Sequence, residues 1–220
     1  MSRFLIIATA SALAVAFPVT SSETSAALKT RCGSFLGPDA LFLLDEDRPD
    51  VYLPIRDYLF QVFQKAGKSG GRAAGRQYVL AHFQPTPYLS YGCELHWNIP
   101  ATTQFHSYYG SHQLDIVTST GYVESFLPTW NSVIAGSPPT VGPGVFGTVN
   151  AVAGAEAFVN SAACRNYPPT GKPDGGMGLN FLFKFANWVE QAGSAGGMSF
   201  YSGWTGPADV FKGPYLTYSC

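Results

Sequence analysis

The sequence predicts a mainly β protein: an antiparallel β-sandwich with one helix in its N-terminal part, stapled by two disulfides. Three observations predict it. The 220 residues include 24 Gly and 16 Pro but only 12% charged residues, a composition of short strands and tight turns with ample core material. The segment YGCELHWNIP alternates with a period of two: Cys93, Leu95, Trp97 and Ile99 point one way, Glu94, His96 and Asn98 the other, and Pro100 stops the strand. The cysteines, Cys32, Cys93, Cys164 and Cys220, form an even set downstream of a leader-like N-terminus, the pattern of a disulfide framework in an oxidising compartment.

In chain order, residues 1–16 read as a secretory signal peptide. Arg3 precedes an apolar run from Phe4 to Ala16 that closes on Ala14-Val15-Ala16, with cleavage after Ala16 or nearer Ser22. The run is too short to span a bilayer. Export would place the protein outside the cell, in the apoplast if the source is a plant pathogen. Residues 17–76 form an N-terminal segment. In PIRDYLFQVFQKAG, Ile55, Tyr58, Leu59, Val62, Phe63 and Ala66 share one helical face, with Pro54 in the first turn and Gly67 as the cap. The aromatic and β-branched content of YLFQVFQ also fits a strand. GKSGGRAAGR (67–76) is a basic flexible loop; its GKS is not a phosphate-binding loop, because Val62 stands where that motif needs glycine.

Residues 77–220 carry the sandwich. Strands are expected at 78–83, 93–99, 113–118, 121–126, 145–152, 157–162, 179–186, 197–202 and 214–220, with AGSPPTVGPG as a long surface loop. Leu216, Tyr218 and Cys220 share a face, as do Cys93, Leu95 and Trp97. This predicts a core-facing Cys93–Cys220 bond and leaves Cys32–Cys164 to pin the N-terminal segment.

The formal net charge is −1, one more negative once Arg3 is removed, so electrostatics give no reason to bind nucleic acid or anionic lipid. No Gly-x-Ser-x-Gly elbow is present, and the carboxylates gather in the turn-like DEDRPD instead of pairing elsewhere. No catalytic residue, cofactor or metal is therefore assigned. His96, His106, His112 and Asp115 are the candidates for a metal-dependent hydrolase, though histidines on the polar faces of strands are the simpler reading. Aromatic residues beside turn formers point instead to binding: Tyr108 and Tyr109 in HSYYGSH, Trp130 in LPTWNS and Trp204 in YSGWTGP.

CELHWNIP, AFVNSAAC, GGMSFYSGW and GPYLTYSC together resemble the But-two C-terminal-like family of fungal secreted β-sandwich domains, over roughly 77–220. The resemblance implies a fold and a secreted fungal context, without a defined activity; Cys32 is an addition to the family's pattern. A second resemblance concerns loops. NYPPTG, SAGGMS and KGPY are similar, in that order, to the binding loops of immunoglobulin-like inhibitors of papain-type cysteine proteases. It implies contact through Pro168, Pro169, Thr170, Gly171, Gly196 and Gly197, with Trp204 beside them. The expected function is that of a secreted, effector-like fungal protein that inhibits a host extracellular papain-type protease and dampens host defence. The alternative is cell-wall glycan binding through Tyr108, Tyr109, Trp130 and Trp204.

Overall fold

The computed structural model describes residues 33–120, 127–136, 139–165, 178–205 and 210–219, which form two antiparallel sheets around a shared core. The smaller sheet runs in the order β1 (Ser34–Leu36), β13 (Val210–Tyr218), β5 (Cys93–Ile99) and β9 (Ala155–Ala162), with β12 (Gly203–Thr205) added to β13. The larger runs β6 (Ser107–Tyr109), β11 (Gly196–Tyr201), β3 (Leu59–Lys65), β4 (Ala74–Phe83), β10 (Leu179–Phe185), β7 (Gln113–Ser119) and β8 (Gly147–Asn150). A further strand, β2 (Ala40–Asp45), also pairs with β4. No described helix is long and apolar enough to cross a membrane.

The period of two builds the core. Cys93, Leu95, Trp97 and Ile99 are fully buried, and Leu95, Trp97 and Ile99 share a core with Phe181, Phe183 and Phe185 of β10 across the sandwich. Phe60 lies at the centre of the aromatic packing, 5.2 Å from Trp97, 5.4 Å from Phe183 and 5.3 Å from Phe200 between ring centroids. A second cluster covers the other side of β4 and β10. There Tyr78, Leu80, Val117 and Leu182 pack under Trp130 and Val133 of a short helix, α1 (Trp130–Val133). A reciprocal cap starts that helix: the Ser132 N–H donates to Thr129 Oγ1 at 3.1 Å, and the Thr129 N–H donates to Ser132 Oγ at 2.8 Å. The fixed entry sets the Trp130 ring 4.9 Å from that of Tyr78.

The helix expected at 54–67 is absent; β3 occupies Leu59–Lys65. Its buried residues, Phe60, Val62 and Gln64, alternate as a strand requires, and it pairs with β11 on one edge and with β4 on the other. Tertiary pairing overrides a helical spacing that the β-branched and aromatic content disfavoured. The strands within 34–65 belong to the same two sheets as the rest, so a boundary at 76/77 falls inside β4. Gln77 of β4 pairs with Asp45 of β2 on one edge and with Phe63 of β3 on the other. The β3 edge is shared with β10: β3 takes Ala74 and Gln77, with a bulge between the two pairs, and β10 takes Val79–Phe83.

Cys93 bonds Cys164, with Cα atoms 5.1 Å apart, and not Cys220; the expected Cys93–Cys220 and Cys32–Cys164 pairs are both overturned. The reason lies in strand order. β9 is a direct neighbour of β5, with Ala162 opposite Cys93, so Cys164 needs only two further residues to reach it. The signal peptide, Cys32, the strand expected at 121–126, the NYPPTG loop with Pro168, Pro169, Thr170 and Gly171, and Cys220 lie outside the described residues.

Candidate functional site

The larger sheet carries an aromatic-walled strip on the outward side of β6, β11 and β3. Residues opposed in an antiparallel ladder share a side, so the register lays out the strip directly. Gly197 lies between Tyr109 and Phe63, Ser199 between Ser107 and Gln61, and Tyr201 opposite Leu59. The alternate residues Met198, Phe200, Phe60 and Val62 point into the core. Rings therefore stand at both ends of a low polar floor. Tyr109 (49% exposed) and Tyr201 (48% exposed) are open to solvent, whereas Ser199 is buried between them.

Glycine at 197 is a packing requirement. A Cβ there would sit 2.5 Å from both the Phe63 and Tyr109 rings, so only glycine lets the two rings lie across the strand. At the other end the His106 ring meets Tyr201 edge-on at 4.8 Å, and the His106 backbone N–H donates to the Ser199 carbonyl at 2.8 Å. Tyr108 points back: its ring stacks on His112 at 3.6 Å and packs 4.3 Å from Phe105, whose ring lies 5.8 Å from Phe200 of the core. Burial lowers the pKa of His112 and raises that of Tyr108, so both stay neutral near pH 7 and stack without charge.

The structure thus brings together Tyr108, Tyr109, Gly196 and Gly197, which the sequence pattern divides between two functions. Gly196 and Gly197 are buried within β11 and form no protruding loop. Gly196 packs against the Phe185 ring, where an added Cβ would lie 3.0 Å away. Trp130 is likewise no surface platform, being 6% exposed and part of the second core. The backbone of Trp204 lies in β12, opposite Phe211. Phe63, Ser199 and Tyr201 escape a reading by motif; the alternation in GGMSFY and in LFQVFQ, once assigned to an outward face, is the signal that finds them.

The histidines and Asp115 do not converge. His96 lies on the outer side of the smaller sheet, stacked 5.0 Å from Tyr215 and hydrogen-bonded to Thr217 Oγ1 at 3.0 Å. Burial lowers its pKa, against the opposing pull of Glu94. The role of Asp115 is structural. It accepts from Thr148 Oγ1 at 2.8 Å and from the Asn187 N–H at 2.8 Å, anchoring the start of the second helix, α2 (Asn187–Gln191). Among the described residues no group of three His, Cys, Asp or Glu side chains is placed to hold a metal. No protein-family model matches the chain, and no curated protein matches it.

Proposed function

We propose that this chain is a secreted, non-catalytic binding protein that acts outside the cell and holds a glycan on the strip formed by β6, β11 and β3. The supporting observation is the pair of exposed rings, Tyr109 and Tyr201, on one side of the sheet with the half-buried Ser107 and Gln61 between them. Aromatic faces cover the C–H faces of a pyranose, while hydroxyl and amide groups between them bond its hydroxyls. The Cys93–Cys164 bond supports an oxidising compartment. In the fungal context that the But-two C-terminal-like resemblance implies, the ligand is a wall glycan such as chitin or β-glucan. Inhibition of a papain-type protease draws no support from Gly196 and Gly197, whose backbone is paired within the sheet.

The test is co-sedimentation of the purified, oxidised protein with chitin and with insoluble β-glucan, beside titration of papain-type proteases. Retention on one glycan, lost in the Tyr109→Ala/Tyr201→Ala double variant, is the expected result. A wild-type protein that stays in the supernatant, or a double variant that sediments equally well, overturns the assignment. Protease inhibition would return the function to the 166–171 segment.

A further inference from the structure

A cavity of about 220 Å³ opens on the other outward part of the larger sheet, and none of its lining residues belongs to the strands of the aromatic strip. Its lining has two characters. Ile134, Val141 and Leu182 give an apolar wall, and Arg72, Arg76 and Lys184 give a cationic one; no carboxylate lines it among the described residues. The anions that balance these cations lie outside the lining. Glu190, whose side chain is fully buried, accepts from Tyr78 Oη at 2.6 Å and Lys184 Nζ at 3.1 Å through one oxygen, and from Arg72 Nη2 at 2.8 Å through the other. Glu46 takes Arg76 in a two-pronged pair at 2.6 and 3.0 Å. Asp115, opposite Lys184 on β7, directs its oxygens to Thr148 and Asn187.

Three cations are therefore held in place from outside the cavity while they border an apolar space. We propose that this cavity binds a small carboxylic acid with a compact apolar body, its carboxylate on Arg72 and its body against Ile134, Val141 and Leu182. Arg72 is the contact residue because its side chain is 57% exposed and gives one nitrogen to Glu190, whereas a guanidinium carries five N–H donors in a fork suited to carboxylates. Glu190 positions that fork. The volume equals the liquid share of roughly seven waters, which suits a single-ring or short-chain acid and is too small for an oligosaccharide. The proposal is independent of the glycan assignment.

The test titrates the intact, oxidised protein with benzoate, benzyl alcohol and benzylamine, following backbone amide shifts of Gly142, Gly144 and Leu182 by NMR. Benzoate is expected to move these resonances, with benzyl alcohol weaker by about tenfold or more and benzylamine inert. Arg72→Ala should weaken benzoate about tenfold, Arg72→Lys should restore part of the loss, and Val141→Trp should abolish binding by filling the space. Equal affinity for benzoate and benzyl alcohol overturns the proposal, as does unchanged binding in Arg72→Ala. So does the absence of any benzoate shift up to about 10 mM. Should Val141→Trp fail to fold, the exposed Arg72 variants decide alone. Tyr109→Ala/Tyr201→Ala should leave benzoate binding intact, so failure here is distinguishable from failure of the glycan assignment.

Discussion

The larger sheet turns two different surfaces outward, and their side chains differ in kind. Over β4, β10 and β7 the outward residues include Leu80, Leu182 and Val117, and α1 covers them with Trp130 and Val133. Over β6, β11 and β3 they include Tyr109, Ser199, Gln61 and Tyr201, with both tyrosine rings about half exposed. Aliphatic side chains have no polar atom to offer water and need a cover, whereas tyrosine, serine and glutamine tolerate hydration and are suited to exchange it for a ligand. One surface reads as a second core with a small cavity at its border, and the other as an open strip for a larger ligand.

The largest expected effect is on the covered surface. Trp130→Ala should cost about 3–5 kcal/mol in urea unfolding, since the ring packs on Tyr78 and also carries the Arg76 guanidinium 5.1 Å from its centroid. Tyr201→Ala on the open surface should change stability by only about 0.5 kcal/mol. Equal costs would break the distinction between the two surfaces.

Glu190→Gln should follow, at about 3 kcal/mol, because it leaves Lys184 and Arg72 without their shared buried partner. The same carboxylate sets a pH dependence. Burial alone would raise its pKa, but Lys184, Tyr78 and Arg72 outweigh burial and hold it below the ordinary carboxylate value; the hydrogen bond from Arg76 does the same for Glu46. A pKa lowered in the folded state gives stability that is present above the unfolded value and lost as pH falls through the folded one. Unfolding curves recorded from neutral pH into the acid range should show wild-type stability falling, and Glu190→Gln should fall less steeply. Parallel curves would show that Glu190 does not carry the effect.

Gly197→Ala sharpens the comparison on the open side. The added Cβ displaces Phe63 and Tyr109, with an expected cost of about 1–3 kcal/mol and loss of glycan retention by co-sedimentation. Retention at wild-type level would remove Tyr109 from the site. Last, peptide mapping of the oxidised protein should find Cys93–Cys164 and, by what then remains, Cys32–Cys220. β1 and β13 are in register up to Ser34 opposite Tyr218, two residues short of each of those cysteines. Free thiols at both positions would refute the second bond.

The legible parts of the fold are those with a clean period of two. β5 matches its expected bounds, and its apolar set is fully buried. β2 is invisible in the sequence because LFLL is apolar without alternation: Leu41 serves the main core while Phe42 and Leu44 serve the second. β3 passes for a helix because Leu59, Val62 and Phe63 also satisfy a helical spacing. DEDRPD reads as a solvated turn, yet Asp45 is buried and binds Arg48, and Glu46 pairs with Arg76 thirty positions away. Of the site, the sequence shows Tyr109 but neither Tyr201 nor the strip, since adjacency of β6, β11 and β3 is a fact of strand order that no local pattern contains. The disulfide expectation fails for the same reason: a shared face is legible, a shared border is not.

The handover at the edge of β4 bears on cooperativity. β3, β11 and β6 join the rest of their sheet through register pairs at Gln77 and Ala74 alone, beyond which β10 takes over that edge. Such a branch marks a seam along which a protein opens in part before it opens as a whole. Amide exchange should then divide the larger sheet into two protection classes, the three-stranded wing releasing its protons ahead of β4, β10 and β7. Because the aromatic strip lies wholly on that wing, a bound ligand would slow exchange there first and turn the wing into the reporter of occupancy.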